Sequence, residues 1–250
     1  MELVTSRQNN IIKHVKKLAG DRKYRKTSGE FLCEGPKMLA EAVRWGFEPQ
    51  TVLACSESML LEWEGRAART VLVEEDLLSY AADTETPQGV LFTCRIPEEE
   101  DRLPGQRLLI LDGVQDPGNV GTILRTADAF GADGVVLLPG CADPWAPKVV
   151  RATMGACFRL PVLSSSLEGL TEQLEKEGIP LYATALRDDT RDIRGADLSR
   201  AAVVIGSEGR GVSAAVLEKC QATLKIPMRE RCESLNAAMA AGIVLWEAWR

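Results

Sequence analysis

The sequence holds a single histidine, His14, in 250 residues. That removes a Ser-His-Asp triad, a Cys-His pair and most metal sites from consideration. Any proton transfer falls to Arg, Glu, Asp, Tyr, Lys or to the substrate itself. The seven cysteines, at 33, 55, 94, 141, 157, 220 and 232, form no Cys-x-x-Cys pair and are odd in number. Neither a disulfide framework nor a thiolate zinc site is expected. No apolar run reaches the roughly 18 residues of a membrane span. The start, Met1-Glu-Leu-Val-Thr-Ser-Arg7, lacks the apolar centre of a signal peptide. A cytoplasmic protein without membrane contact is the expectation.

Nucleotide signatures are missing too. Gly118-Asn-Val-Gly121 follows an apolar stretch but lacks the G-x-G-x-x-G spacing, and no Gly-Lys-Ser/Thr is present. Gly206-Ser-Glu-Gly209 is not the G-x-S-x-G of a nucleophile elbow. A nicotinamide-dependent dehydrogenase therefore rests on the alternating α/β pattern alone.

What is present is an ordinary core composition, 45% hydrophobic and 26% charged, with a net charge of −6. The charge is unevenly spread. Residues 1–26 carry Arg7, Lys13, Lys16, Lys17, Arg22, Lys23, Arg25 and Lys26 against Glu2 and Asp21, a local +6. Phosphate binding depends on such clusters more than on the total, although a solvated lysine-rich face reads the same way.

Residues 1–94 read as a small α/β domain. A helix is expected from Ser6 to Gly20, capped by Ser6, followed by a mobile basic stretch from Asp21 to Gly29. Strands and helices then alternate to a closing strand at Val90–Thr93. Residues 95–106, proline-bearing and densely charged, read as a linker. Residues 107–250 form a second α/β series, with apolar strands beginning at Leu108 and Ala201 that suit a buried parallel sheet. A helix is expected at Ala146–Ala156 within it. The chain closes on an Ala-rich helix whose small residues Ala237, Ala238, Ala240, Ala241 and Gly242 require close backbone approach.

Three loops after strands are candidates for chemistry, because ligands gather at the carboxyl ends of parallel strands. Each has a bland account taken singly: Asn119 as a helix cap, Arg125 in a surface ion pair, Glu208 solvated, Ser234 or Asn236 as a cap. Together, Asn119-x-Gly121-x-x-x-Arg125, Ile205-Gly-Ser-Glu-Gly209 and Ile226-Pro-Met…Glu-Ser-Leu-Asn236 resemble the SpoU (TrmH-type) RNA 2′-O-ribose methyltransferases of the SPOUT superfamily. Phe31-Leu-Cys-Glu-Gly35, Pro36 and Thr86-Pro-Gln-Gly89 are similar to that family's ribosomal-protein-like RNA-binding domain.

The resemblance implies a C-terminal parallel-sheet domain with a deep trefoil knot, plus a smaller N-terminal α/β RNA-binding domain. It implies methylation of a ribose 2′-hydroxyl in structured RNA, ribosomal rather than transfer RNA, using S-adenosylmethionine. It also implies a homodimer formed through the C-terminal domain. Thr184, Ala185, Leu186, Gly206, Ile226, Met228 and Leu235 are the implied cofactor contacts. Asn119, Arg125, Glu208, Ser234 and Asn236 are the implied catalytic set, with Asn119 orienting Arg125 or the ribose. Lys13, Lys16, Lys17, Arg22, Lys23, Arg25 and Lys26 would contact RNA phosphates. One departure stands out: Glu230 occupies a position where the family usually has a small residue, often glycine. A non-catalytic RNA-binding protein with a relic site is the alternative this departure keeps open.

Overall fold

The computed structural model describes the chain apart from residues 99–101, 188, 230–233 and 250. Glu230 and Cys232 thus lie outside the described residues. The chain forms two compact units, Met1–Glu98 with Asp143–Phe158, and Glu99–Ala142 with Arg159–Arg250.

The first unit runs β1 (Glu2–Val4), α1 (Asn10–Gly20), α2 (Arg22–Ser28), β2 (Glu30–Glu34), α3 (Pro36–Arg44), β3 (Thr51–Ala54), α4 (Glu57–Leu61), β4 (Thr70–Val73), α5 (Glu75–Ala81) and β5 (Val90–Arg95). Its sheet has the order β1-β4-β3-β5-β2. β5 pairs antiparallel with both β3 and β2, while β1, β4 and β3 are parallel. Helix α1 begins later than expected. The Ser6 hydroxyl accepts from Gln8 N–H at 3.1 Å in a preceding turn, and Asn9 is the cap, accepting from Ile11 N–H at 2.8 Å. Ile11, Ile12, Val15 and Leu18 then face the core as a 3.6-residue stripe.

The expected mobile stretch after Gly20 is instead helix α2. Asp21 caps it by accepting from Tyr24 N–H at 3.0 Å, and Gly29 closes it in the left-handed conformation, φ 66°. Its anchor is Arg25, only 5% exposed. The guanidinium meets the Asp143 carboxylate at 2.7 and 2.8 Å and donates to the Leu18 carbonyl at 2.5 Å. Arg25 is therefore corrected from a phosphate contact to an internal strut, with its donors turned inward. Lys13, Lys16, Lys17, Arg22, Lys23 and Lys26 remain exposed.

Asp143–Phe158, expected from the sequence to be part of 107–250, packs with the first unit. Aromatic packing explains it: Phe31 lies 4.7 Å from the Trp145 ring and 6.2 Å from Phe158, and Phe47 lies 4.9 Å from Phe158. Val150 and Cys157 join the same buried cluster. The helix here is α7 (Pro147–Ala152), shorter than expected and followed by a single 3₁₀ turn at Ala156–Phe158.

The second unit starts with β6 (Arg107–Asp112), α6 (Pro117–Ala129) and β7 (Gly134–Leu137). It resumes with β8 (Val162–Ser164), α8 (Leu167–Glu177), β9 (Leu181–Thr184), β10 (Arg191–Asp192), β11 (Ala201–Gly206), α9 (Ala214–Lys219), β12 (Ala222–Lys225) and α10 (Ala237–Trp249). The sheet order is β10-β12-β9-β11-β6-β7-β8, and every recorded pair is parallel. Leu108 to Leu111 and Ala201 to Val204 are fully buried, as a strand covered on both faces requires. Successive strands step outward from β6 through β7 to β8, whereas β11 pairs with β6 on the other side. The strand order therefore reverses at β6 and β11, the arrangement that opens a crevice at the carboxyl edge. Parallel strands also bring the loops after β6, β9, β11 and β12 to that one edge.

Helix α10 packs against α6. Ala237, Ala238, Ala241, Val244 and Leu245 are its buried residues, and a methyl group built on Gly242 would meet Thr126 Cγ2 at 3.7 Å. The Ala-rich composition is what permits this approach.

Candidate active site

A cavity of about 450 Å³ opens where β9, β11 and β12 end. Thr184, Ala185 and Leu186 form one wall, Gly206 a second, and Ile226, Met228 and Leu235 a third. All seven residues expected to hold the cofactor thus line one space, from segments up to about fifty positions apart in sequence. The volume falls in the ordinary range for small-molecule sites. Thr184 is fixed by donating to the Val204 carbonyl at 2.8 Å. Gly206 is obligatory on steric grounds, since an added Cβ would run into the backbone of Gly211 and Val212. The loop after it folds back on itself through paired backbone hydrogen bonds between Ser207 and Gly211, at 2.9 and 3.1 Å.

At this edge lies a chain of polar side chains. The Asn236 amide donates to the Asn119 carbonyl oxygen at 3.0 Å, and the Asn119 amide in turn donates to the Glu208 carboxylate. One linkage therefore joins α6, the β11 loop and the start of α10. Asn119 is free for this role because it is not the cap of α6. Asp116 is the cap, accepting from Asn119 N–H at 2.8 Å, with Pro117 in the first helical position. Asn236 does cap α10, its side-chain oxygen accepting from Ala238 N–H at 3.0 Å and Met239 N–H at 3.3 Å. Glu208 and Ser234 also line the cavity.

Arg125 is placed differently. It is exposed on α6, does not line the cavity, and has no recorded hydrogen-bond or ion-pair partner among the described residues. Within the chain Asn119 bonds Glu208 and Asn236 and not Arg125, which leaves the ribose as the partner expected of its remaining donor. Lys225, which lies outside the sequence motifs, and Ser207, which lies within one but without an assigned role, also line the cavity. The signal for Ser207 is its place between Gly206 and Glu208, and for Lys225 its place directly before Ile226. A nucleophilic thiol is not on offer from Cys220, where burial and then the Asp112 charge push the pKa up to about 12.

The fold that builds this cavity has known counterparts. The model of the SpoU rRNA Methylase family matches residues 106–246, and an MRM3-like substrate binding domain matches residues 9–91. This chain belongs to the SpoU rRNA methylase family. It is 35% identical to the 23S rRNA (guanosine(2553)-2′-O)-methyltransferase RlmP of Bacillus subtilis, over 98% of each chain. It is 33% identical to the 23S rRNA (uridine(2479)-2′-O)-methyltransferase of Streptomyces viridochromogenes, over 99% of this chain and 91% of that one. A crystal structure of an AdoMet-bound rRNA methyltransferase from Sinorhizobium meliloti superposes with a TM-score of 0.89 at 32% identity, covering 98% of this chain and 96% of that one. The matched SpoU segment contains every residue named above at the cavity.

Proposed function

We propose that this SpoU methylase transfers a methyl group from S-adenosylmethionine to a ribose 2′-hydroxyl of large-subunit ribosomal RNA. The observation that carries the reading is the convergence of seven residues from three strand ends on one cavity, with the Asn236–Asn119–Glu208 chain at its edge. The kinship with two 23S rRNA 2′-O-methyltransferases supports the substrate class.

The cofactor supplies a methyl group on a sulfonium, so its leaving group departs neutral. The protein's work is to place the ribose oxygen and to help remove its proton. Asn119 and Asn236 present amide groups to the ribose, and Ser234 and Glu208 complete the polar rim. Arg125 acts by binding the phosphate beside the target ribose, with that phosphate relaying the proton. The exposed lysines of α1 and α2 bind RNA phosphates and set its register rather than its sequence.

Arg125 lies outside the cavity because the site is completed by a second copy of the chain. Met239, Ile243 and Trp246 are 62%, 37% and 53% exposed, and they recur on one face of α10 next to α6. An apolar stripe of this kind fits a homodimer interface formed by α6 and α10. In this reading the same unit also carries a trefoil knot, which the return of α10 against α6 and β11, after β12 has paired with β9, supports. The site of action is the cytoplasm, where ribosomal RNA is found. Among the described residues no helix is long and apolar enough to cross a membrane.

The test is incubation with S-adenosylmethionine and ribosomal RNA from cells lacking the gene, with ribose methylation mapped by resistance to alkaline cleavage. Wild type should protect a defined phosphodiester. Arg125→Ala should abolish protection while leaving cofactor affinity by calorimetry nearly intact, and Trp246→Glu should shift the dimer toward monomer in sedimentation. Cofactor binding without any ribose methylation would mark a relic site.

A further inference from the structure

A second cavity, of about 350 Å³, lies on the other side of the Ser207–Gly211 loop. Ser207, Glu208, Gly209 and Gly211 line both cavities, so a single loop separates them. The rest of the wall comes from the ends of β6 and β7, with Gly113, Gln115, Pro139 and Gly140. Its shape follows from that backbone. Gly113 and Gly140 both adopt positive φ, 67° and 93°, and a Cβ on Gly140 would stand 3.5 Å from the Gly113 Cα. The two strand ends are pinned together by Ala142 N–H donating to the Val114 carbonyl at 2.9 Å. The adjoining side-chain-free backbone of Gly113 and Gly140 and the flat ring of exposed Pro139 leave a slot suited to a planar group.

Polar groups stand around this slot. Among the described residues neither the Gln115 amide nor the Arg210 guanidinium has a recorded hydrogen-bond or ion-pair partner. Arg210 is positioned through its backbone, which donates to Ser207 Oγ at 3.3 Å. Asp112 is held in place by accepting from Ser213 N–H at 2.6 Å. A primary amide with both donor and acceptor unused is the group that reads the edge of a nucleobase, and a free guanidinium suits a phosphate.

We propose that this slot takes the base of the target nucleotide, unstacked from the RNA, with Gln115 reading its edge and Arg210 holding its phosphate. The inference rests on the methyl-transfer reading of the neighbouring cavity. Glu208 borders both spaces, so a base in the slot puts its own ribose beside the Asn119–Glu208 pair. Single-stranded or unpaired bases are the ones that proteins read in this way. The relatives described above act on a guanosine and a uridine respectively. Base choice therefore varies over a common catalytic frame, and the slot offers a place for that variation outside the cofactor walls.

Two measurements test this on the full chain. The first is ligand-observed NMR with the four nucleoside 5′-monophosphates in the presence of S-adenosylhomocysteine. Wild type should bind at least one of them, and Gln115→Ala and Arg210→Ala should each weaken that binding. The second is methyl transfer to ribosomal RNA from the deletion strain, alongside RNAs with the target base changed. Gln115→Ala should lower kcat/KM for the native base by about tenfold or more and flatten the preference among bases. Gln115→Phe, which fills the slot, should lower it further. S-adenosylhomocysteine affinity should stay within about twofold in all variants, since none of these residues lines the first cavity. The proposal is overturned by absence of monophosphate binding in wild type, by an unchanged base preference in Gln115→Ala, or by loss of cofactor affinity in the variants. A failure of the methyl-transfer reading shows itself separately, as wild-type protein that binds monophosphate and cofactor but methylates none of the RNAs.

Discussion

Replacing Asn119 by Asp changes one heavy atom, the amide nitrogen, and asks what the polar chain at the cavity is for. The substitution keeps an acceptor for the Asn236 amide, which donates to residue 119 at 3.0 Å. It removes the donor to Glu208 and sets a second carboxylate against the first. A hydrogen bond to a charged group contributes about 1.5 kcal/mol at the low end, the end appropriate to exposed Glu208. Repulsion of two unit charges about 4 Å apart in a water-like medium adds about 1 kcal/mol. The sum, about 2.5 kcal/mol, corresponds to a loss of roughly 70-fold in kcat/KM if the chain must be intact in the transition state. Cofactor affinity should not follow, because Asn119 does not line the cofactor cavity. The pH profile gives the sharper reading. Adjacent carboxylates raise one another's pKa, so one proton is taken up as pH falls and the hydrogen bond returns. Asn119→Asp should therefore regain activity toward acid relative to wild type, whereas Asn119→Ala should not. Equal pH profiles for the two variants, or a cofactor affinity that falls with kcat/KM, would refute the role assigned to the chain.

Four further outcomes follow from the first unit. Arg25→Ala leaves the Asp143 carboxylate, itself largely buried, without its partner, which costs about 3–5 kcal/mol. Thermal unfolding should shift down by about 10 °C, while Arg22→Ala, on the exposed face, should shift it little. Phe31→Ala removes a fully buried ring that touches Phe47, Trp145 and Phe158 and should cost about 3–5 kcal/mol in denaturant unfolding. Removing Lys13, Lys17, Lys23 or Lys26 should weaken RNA binding and reduce the slope of log affinity against log salt by roughly 0.7–0.9 for each phosphate-binding lysine replaced. The His14 hydrogen bond, foremost among its surroundings, holds the Glu30 carboxyl below its ordinary value. A depressed acid stabilises the fold above its unfolded pKa, about 4.3, and that stabilisation is lost as pH falls through the folded value. Urea unfolding should therefore find Glu30→Gln less stable than wild type at neutral pH, with the difference closing below about pH 4.

The second unit is readable from the sequence because its signals are local and mutually reinforcing. Apolar runs such as Leu108–Leu111 mark doubly covered strands, and the residues that follow them end up at one edge by parallel pairing alone. What stays hidden depends on partners far along the chain. Arg25 looks like the lysines around it, and nothing nearby reveals that Asp143 lies 118 positions away. For the same reason α2 reads as mobile, since a seven-residue basic helix gains its stability from that anchor rather than from propensity. Strands β1 and β10, three and two residues long, are invisible because only pairing with β4 and β12 defines them. Asn119 passes for a cap because Asp116, three residues earlier, competes for the same role and wins it.

The membership of Asp143–Phe158 in the first unit has a consequence for how this enzyme can be cut or shuffled. The polypeptide passes between the two units three times, after Glu98, after Ala142 and after Phe158. Excising residues 1–98 would not release a clean catalytic fragment. It would strip the cover from Trp145, Val150 and Phe158 and leave a sticky apolar flap stitched into the catalytic sequence. A first unit grafted from another family member must therefore arrive with its own version of that flap.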